Sequence, residues 1–249
     1  MTIAAVVVAG AKASKSGGNL MHRHAIALLC ALYTTSADAE PGGTSTVYGP
    51  TVERGESELE YRGAVFNGGA LDGAVLHRAE AGYAFTDWWR PAFVIQTADM
   101  PGASTELTSV AIENVFDFSA TRSWPVHFGG YAEYAFGQNG RDHAIELKLL
   151  AERRAGPWTT RVNLVAERHV GDGAPDDWEY GYAARAMWRA NERWALCVEG
   201  FGEPEAHAHY WGPRASFRFG EASIAAGYLA GLDDAQADGQ FRLTLELER

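Results

Sequence analysis

The sequence has no apolar run approaching the roughly 18 residues that a membrane-spanning helix requires. Hydrophobic residues make up 47% of the chain, yet the mean hydropathy is only -0.21, because polar and charged residues interrupt them. A helical membrane protein is therefore excluded. The 249 residues fit a single all-β domain, since barrels often exceed the usual domain length.

Basic residues and cysteines are also scarce. The 21 Lys and Arg residues face 32 Asp and Glu residues, which gives a net charge of -11. An acidic chain of this kind does not favour binding to the phosphate backbone of nucleic acid, which needs a basic face, so nucleic acid is not an expected partner. Of the two cysteines, Cys30 lies in the leader described next, which leaves Cys197 without a partner for an internal disulfide.

Residues 21–39 have the three-part layout of a secretory signal peptide. After a basic start, an apolar stretch runs from Ala25 to Tyr33, and Ala37-Asp38-Ala39 forms an A-x-A cleavage site. We interpret Met21 as the start of translation and residues 1–20 as a misassigned upstream extension, with a genuine extended leader as the alternative. Cleavage at this site removes three basic residues and one acidic residue, so the net charge becomes -13.

The mature chain, residues 40–249, consists largely of short stretches in which apolar and charged residues alternate. In Ile145-Glu146-Leu147-Lys148-Leu149 one face is wholly apolar and the other is charged. A side-chain period of 2 is typical of β-strands, and strands of about 9–11 residues are long enough to cross an outer membrane at a tilt. The pattern predicts about twelve strands, near residues 58–66, 78–85, 88–97, 107–118, 126–136, 145–153, 158–168, 178–190, 194–201, 210–219, 222–229 and 241–248.

The connections between these strands are of two kinds. Tight ones at residues 86–87, 155–157, 191–193 and 220–221, with a longer one at 119–124, alternate with long loops at 67–74, 98–106, 137–143, 169–177, 202–209 and 231–239. Periplasmic turns and extracellular loops alternate in this way in bacterial outer-membrane barrels. We therefore predict a closed antiparallel up-and-down transmembrane β-barrel in a Gram-negative outer membrane, with both chain ends facing the periplasm.

The aromatic residues help to distinguish this barrel from a soluble β-sandwich, whose strands also alternate. All eight tryptophans lie near predicted strand ends: Trp88, Trp89, Trp124, Trp158, Trp188 and Trp194 beside tight connections, and Trp178 and Trp211 beside long loops. Phe66, Phe136, Tyr210 and Phe241 are expected at the outer rim. Such belts form at the two membrane interfaces, whereas a sandwich buries its rings in mid-strand. A soluble periplasmic β-domain stays the alternative.

Several short sequence segments along the mature chain are distinctive. They include Tyr48-Gly49-Pro50-Thr51-Val52-Glu53, Gly55 to Gly63, Thr86 to Pro91 and Gly227 to Leu232. In these segments the chain resembles a largely uncharacterised family of proteobacterial outer-membrane β-barrel proteins. The resemblance implies the fold and the location, with outer-membrane lipids and the barrel-assembly machinery as partners, but no substrate. Barrels of this kind usually end on an aromatic residue that the assembly machinery reads, whereas this chain ends Leu247-Glu248-Arg249.

If the apolar residues face lipid, the inner face of the barrel carries many ionisable residues of nearly balanced sign. Unpaired charges in a narrow lumen are costly, so Arg–Glu ladders across neighbouring strands are expected. The lumen-lining candidates are Glu60, Arg62, Arg78, Glu80, Arg90, Glu113, Glu133, Glu167, Arg185, Glu199, Arg214 and Arg242. Two interpretations stay open: a structural barrel whose lumen these ladders fill, and a narrow channel for small polar or charged solutes.

Other functions have weaker support in the sequence. A surface binding module would use the six long loops. An outer-membrane lipid hydrolase would need a Ser–His pair with an orienting partner on the outward face, but His127, Ser216 and Ser223 fall on the inward register. We interpret His207 and His209 as solvated loop residues rather than metal ligands. No enzyme activity, metal or cofactor is predicted.

Overall fold

The computed structural model describes residues 41–120 and 122–249, and the predicted upstream extension and signal peptide lie outside them. These residues form twelve β-strands and a single-turn 3-10 helix, Gly69–Leu71. The strands are β1 Ser57–Asn67, β2 Val75–Tyr83, β3 Trp89–Asp99, β4 Glu106–Asp117, β5 His127–Gly137, β6 His143–Ala155, β7 Trp158–Val170, β8 Glu179–Arg189, β9 Trp194–Glu203, β10 Ala208–Phe219, β11 Ala222–Asp233 and β12 Gly239–Glu248. None of the helical structure in the described part of the chain is long and apolar enough to cross a membrane.

The twelve strands form one closed antiparallel barrel in which each strand pairs with its neighbours in sequence. Strands β1 and β12 close it, with a register that runs from Glu58 opposite Glu248 to Asn67 opposite Gly239. Each strand thus has a partner on both sides, as lipid requires, because a bilayer offers no partner for a free strand edge. The predicted fold class, a twelve-stranded closed antiparallel barrel, is confirmed.

Side chains alternate between two environments along each strand. Leu164 in β7 is 58% exposed, and the apolar residues Leu59, Phe93, Ile112, Leu147, Leu196 and Leu245 are also exposed. By contrast, Glu113 in β4 and Glu199 in β9 are almost completely buried. Buried carboxylates beside exposed leucines invert the pattern of a soluble protein, and lipid around the outer face accounts for it. This orientation does not fit the soluble β-domain.

The strand boundaries agree with the predicted ones to within about four residues. We call the end of the barrel at which β1 begins the turn end, and the opposite end the loop end. Connection lengths do not alternate as sharply as predicted. Residues 118–126, at the turn end, form a long connection, whereas β9 and β10 continue into their loop and leave only residues 204–207 between them. Strand pairing there extends beyond the segment in which apolar and polar residues alternate.

Candidate functional site: the occupied lumen

Residues 41–56, which we call the lumenal segment, do not join the sheet but run through the inside of the barrel. At the loop end, Gln240 Nε2 donates to the Pro41 carbonyl oxygen at 3.1 Å. At the turn end, the Gly55 N–H donates to the Ala84 carbonyl oxygen at 2.8 Å before the chain enters β1. Residue 41 therefore lies at the end opposite to the start of β1. This corrects the prediction that both ends of the mature chain lie on the same side.

Tyr48 anchors the middle of the lumenal segment. Its N–H donates to Asn163 Oδ1 at 2.8 Å and its carbonyl oxygen accepts from Asn163 Nδ2 at 3.0 Å, so one side-chain amide satisfies both backbone groups. The Tyr48 hydroxyl donates to Glu113 Oε2 at 2.7 Å and accepts from Arg62 Nη2 at 3.0 Å. Lys148 Nζ lies 4.7 Å from the centroid of the Tyr48 ring. Because both hydroxyl partners are ionisable and buried, these hydrogen bonds are of the strong, charge-assisted kind.

Arginines of the wall bind the same segment through neutral oxygen atoms. Arg62 Nη1 donates to the Thr44 carbonyl oxygen at 2.9 Å. Arg242 Nε donates to the Gly43 carbonyl oxygen at 2.9 Å, and Arg242 Nη2 donates to the Ser45 carbonyl oxygen. The lumenal segment is therefore held mainly by side chains of the wall acting on its backbone.

The lumenal segment also packs closely against the wall where glycines leave room. A Cβ atom on Gly49 would lie 2.8 Å from the guanidinium carbon of Arg161. A Cβ atom on Gly129 in β5 would lie 2.6 Å from Pro50 Cβ, closer than carbon atoms approach without a shift. The backbone of the segment thus fills the space up to the barrel wall at these two points.

Ion pairs connect the charged side chains around the segment. The pairs on strands β1 to β5 are Arg62–Glu60 at 2.5 Å, Arg62–Glu80 at 2.5 Å, Arg78–Glu113 at 2.7 Å, Arg78–Glu133 at 2.5 Å and Arg90–Glu58. On β6, Glu152 accepts from Arg161 of β7 at 2.5 Å. Because these charges are largely removed from solvent, breaking a pair by removing one partner is strongly destabilising.

A second group of ion pairs gathers on the opposite wall around one carboxylate. Glu199 Oε1 lies 2.6 Å from Arg185 Nε and 2.9 Å from Arg214 Nη1, and Glu199 Oε2 lies 3.2 Å from Arg242 Nη1. Three guanidinium groups therefore share a single carboxylate, which gives this wall an excess of positive charge.

The wall formed by β4 to β8 is acidic instead. The strand register aligns five glutamates in one row, one on each strand: Glu113, Glu133, Glu146, Glu167 and Glu179. Arg78 contacts the first two and Lys148 lies 2.9 Å from Glu146. The lumen thus has a predominantly basic side and a predominantly acidic side, with the lumenal segment between them.

The structure places all twelve predicted lumen-lining residues on inward positions of their strands. It brings eleven of them into the two groups of ion pairs above. Glu167 is the exception, since its closest ion-pair contact is His169 Nε2 at 4.0 Å. Sequence reasoning missed Tyr48, Asn163 and Tyr131. Two sequence features could have indicated the lumenal segment. One is the motif Tyr48-Gly49-Pro50, and the other is the lack of charged side chains in residues 41–52, where apolar and polar residues do not alternate.

Buried apolar side chains occupy the loop end of the lumen. The cluster contains Val47, Ala64, Phe66, Leu71, Ala74, Leu76, Ala98, Ala183, Phe201, Tyr210, Leu229 and Ala237. Phe66 and Tyr210 are 1% and 0% exposed, so the prediction that they lie at the outer rim is wrong. Both fall on inward positions of their strands, whereas Phe136 and Phe241 fall on outward positions and are exposed.

The predicted interface tryptophans lie at or near strand ends. Trp88, Trp124, Trp158, Trp188, Trp194 and Trp211 are exposed, while Trp89 and Trp178 are partly buried. Trp89 Nε1 donates to Asn114 Oδ1 at 3.0 Å. Large rings with a polar edge are suited to the level of the lipid headgroups.

Histidines on the outer face have partners that the sequence did not indicate. The Tyr61 hydroxyl lies 2.7 Å from His77 Nδ1, and His77 Nε2 lies 3.3 Å from Asp99 Oδ2. His209 Nδ1 lies 3.2 Å from the Tyr182 hydroxyl. Within residues 41–120 and 122–249, no group of three or more His, Cys, Asp or Glu residues is placed to hold a metal ion.

Comparison with known proteins shows that solved structures share a similar fold with this chain. No protein-family model and no curated protein matches the chain. Among solved structures, the outer-membrane channel of Pseudomonas putida F1 matches with a TM-score of 0.57 and 10% identity, over 84% of this chain and 98% of that one. The NanC porin matches with a TM-score of 0.56 and 9% identity, over 76% and 98%. The KdgM porin, solved in complex with disordered oligogalacturonate, matches with a TM-score of 0.57 and 8% identity, over 76% and 98%.

The closed barrel, its lipid-facing apolar belt and these likenesses define the class of the protein as an outer-membrane β-barrel. The resemblance noted in the sequence is upheld at the level of fold and location. Membership of the proteobacterial family stays a prediction, as do the contacts with outer-membrane lipids and with the barrel-assembly machinery.

Proposed function

We propose that this protein is a narrow outer-membrane channel for small polar or charged solutes, and that the lumenal segment closes it in the conformation described. The observation that carries this proposal is that the barrel closes without the segment. Strands β1 and β12 pair along their length, and residues 41–56 contribute no strand. Displacing the segment therefore breaks side-chain contacts and leaves the ladder between the strands intact.

The solved structures with a similar fold support a channel, because they are porins and an outer-membrane channel. The composition of the wall supports it as well, since charged side chains that line a pore select polar and charged solutes. The competing hypothesis is a structural barrel whose lumen stays filled. Small barrels of that kind are filled by side chains of their own walls, whereas a separate backbone segment occupies this lumen.

A reversible disulfide between the segment and the wall tests the proposal. The Asn163 side chain bonds both backbone groups of Tyr48, so Tyr48→Cys and Asn163→Cys place two thiols on neighbouring stretches of chain. Each thiol forms a disulfide with one end of a short bis-thiosulfonate linker, which does not need the strict Cβ geometry of a direct disulfide. The pair is made in a Cys197→Ser background and measured in planar lipid bilayers, with Cys197→Ser alone as the matched control. We expect the cross-linked protein to be silent and the reduced protein to open in discrete steps.

A gel shift under reduction establishes that the cross-link has formed. If the reduced protein stays silent at several voltages while its barrel is folded, the lumen does not open and the protein is a structural barrel. If the cross-linked protein conducts as well as the reduced one, ions pass by a route that the lumenal segment does not close. Either result overturns the proposal.

A further inference from the structure

We infer that the solutes are anionic, and that a carboxylate or phosphate group opens the lumen by binding the arginines that hold the lumenal segment in the closed state. This inference rests on the proposed channel function and names the class of solute. The contacts between the wall and residues 43–46 join charged donors of the wall to uncharged acceptors of the segment.

Three arginines direct hydrogen-bond donors at this short stretch. Arg62 binds the Thr44 carbonyl oxygen, Arg242 binds the carbonyl oxygens of residues 43 and 45, and Arg185 Nη2 lies 3.3 Å from Thr46 Oγ1. Every acceptor in these contacts is a neutral oxygen. The side chains of residues 41–52 bring no charge either, although 21% of the whole chain is charged.

Two of these arginines, Arg185 and Arg242, are not neutralised by their own carboxylate, whereas Arg62 is paired with Glu60 and Glu80. Glu199 is shared among Arg185, Arg214 and Arg242 at 2.6–3.2 Å. The segment does not supply the missing negative charge, because its contacts are carbonyl and hydroxyl oxygens. A planar guanidinium group matches the oxygens of a carboxylate or phosphate better than it matches a single carbonyl.

An oxyanion therefore competes well for these donors. Hydrogen bonds between two ionised groups are roughly twice as strong as neutral ones. A solute can shift the equilibrium between closed and open lumen only by binding one state more tightly. An anion that binds the arginines only when the segment has left them favours the open state, whereas a neutral solute of the same size has no such preference.

Three sugars of similar size separate the alternatives in the full-length, refolded protein: glucuronate, glucose and glucosamine. The open fraction is measured in planar bilayers with each sugar, and inorganic phosphate serves as a second oxyanion. We expect glucuronate or phosphate to raise the open fraction by about tenfold or more over glucose. We expect glucosamine to have no effect. A response to phosphate alone would assign the site to phosphate esters, and a response to glucuronate alone would assign it to carboxylates.

Variants show which arginines the response to glucuronate and phosphate depends on. Arg185→Gln and Arg242→Gln are expected to remove it, while Arg249→Gln, at an exposed ion pair with Glu221, serves as the control and is expected to keep it. A heat-dependent gel shift checks that each barrel is folded. Should both lumen variants fail to fold, the reversal potential of the parent protein in a salt gradient decides, since the path that residues 43–46 vacate runs beside Arg185 and Arg242 and is expected to prefer anions.

The inference and the proposed channel fail in different ways. If the reduced cysteine-pair protein conducts but prefers cations, or if glucuronate, phosphate and glucose act alike on the parent protein, the channel stands and the anionic solute is wrong. If the reduced protein never conducts, the channel itself is wrong and the inference falls with it.

Discussion

The Tyr48 hydroxyl is the most specific contact between the lumenal segment and the wall, and Tyr48→Phe removes it with little change in shape. The hydroxyl donates to Glu113 at 2.7 Å and accepts from Arg62 at 3.0 Å. Hydrogen bonds to charged groups contribute about 1.5–3 kcal/mol each. Glu113 keeps its contacts with Arg78 and Tyr131, so we take the loss as that of one such bond. The closed lumen is then destabilised by about 1.5–3 kcal/mol, which corresponds to about 10- to 150-fold in the closed-to-open ratio.

The assay is the open fraction of single channels in planar bilayers, with hydrogen exchange of the peptide that contains residues 41–56 as a second measurement. Tyr61→Phe is the matched control, because it removes a phenol hydroxyl bonded to His77 on the outer face. We expect Tyr48→Phe to raise both the open fraction and the exchange rate, and Tyr61→Phe to change neither. Equal behaviour of the two variants would refute the role assigned to the Tyr48 hydroxyl.

Three further changes test the lipid face of the barrel, the apolar cluster at the loop end and the lumenal segment. Leu164→Arg puts a charge on the lipid face of β7, and urea titration in vesicles is expected to show a loss of about 2–4 kcal/mol. Phe66→Ala should lower stability by about 3–5 kcal/mol by opening a cavity in the apolar cluster, and should lower the temperature of the gel shift far more than Phe136→Ala on the outer face. Thr46→Glu adds a carboxylate beside Arg185 and is expected to lower the open fraction, whereas a rise would contradict our account of the wall.

The barrel could be predicted from the sequence because each strand must satisfy two environments at once. A period of 2 in polarity follows directly from a sheet with lipid on one face, as in Ile145 to Leu149. The inward position of the charged residues follows from the same rule. The sequence pattern assigned Phe66 and Tyr210 wrongly because both are inward aromatic residues near strand ends. There the apolar cluster fills the lumen, so inward positions are apolar rather than polar.

The lumenal segment could not be predicted in this way, because it has neither period nor partner strand. Its position depends on contacts with residues far away in the chain, such as Asn163 and Gln240, which the local sequence does not encode. An uncharged stretch before the first strand is equally consistent with a linker. Only the closed geometry of the wall places the donors of several strands around it.

Residues 41–52 of the lumenal segment carry no charged side chain, and this affects how they leave the lumen. A charged residue there would form a buried ion pair, and removing it would leave its partner uncompensated at a cost of about 3–5 kcal/mol. Because the polar contacts of residues 41–52 are made by uncharged backbone and hydroxyl groups, ion pairs such as Arg62–Glu80 and Arg185–Glu199 need not break when the segment moves. The walls keep their own partners in both states, so neutrality makes the closure reversible without destabilising the barrel that it closes.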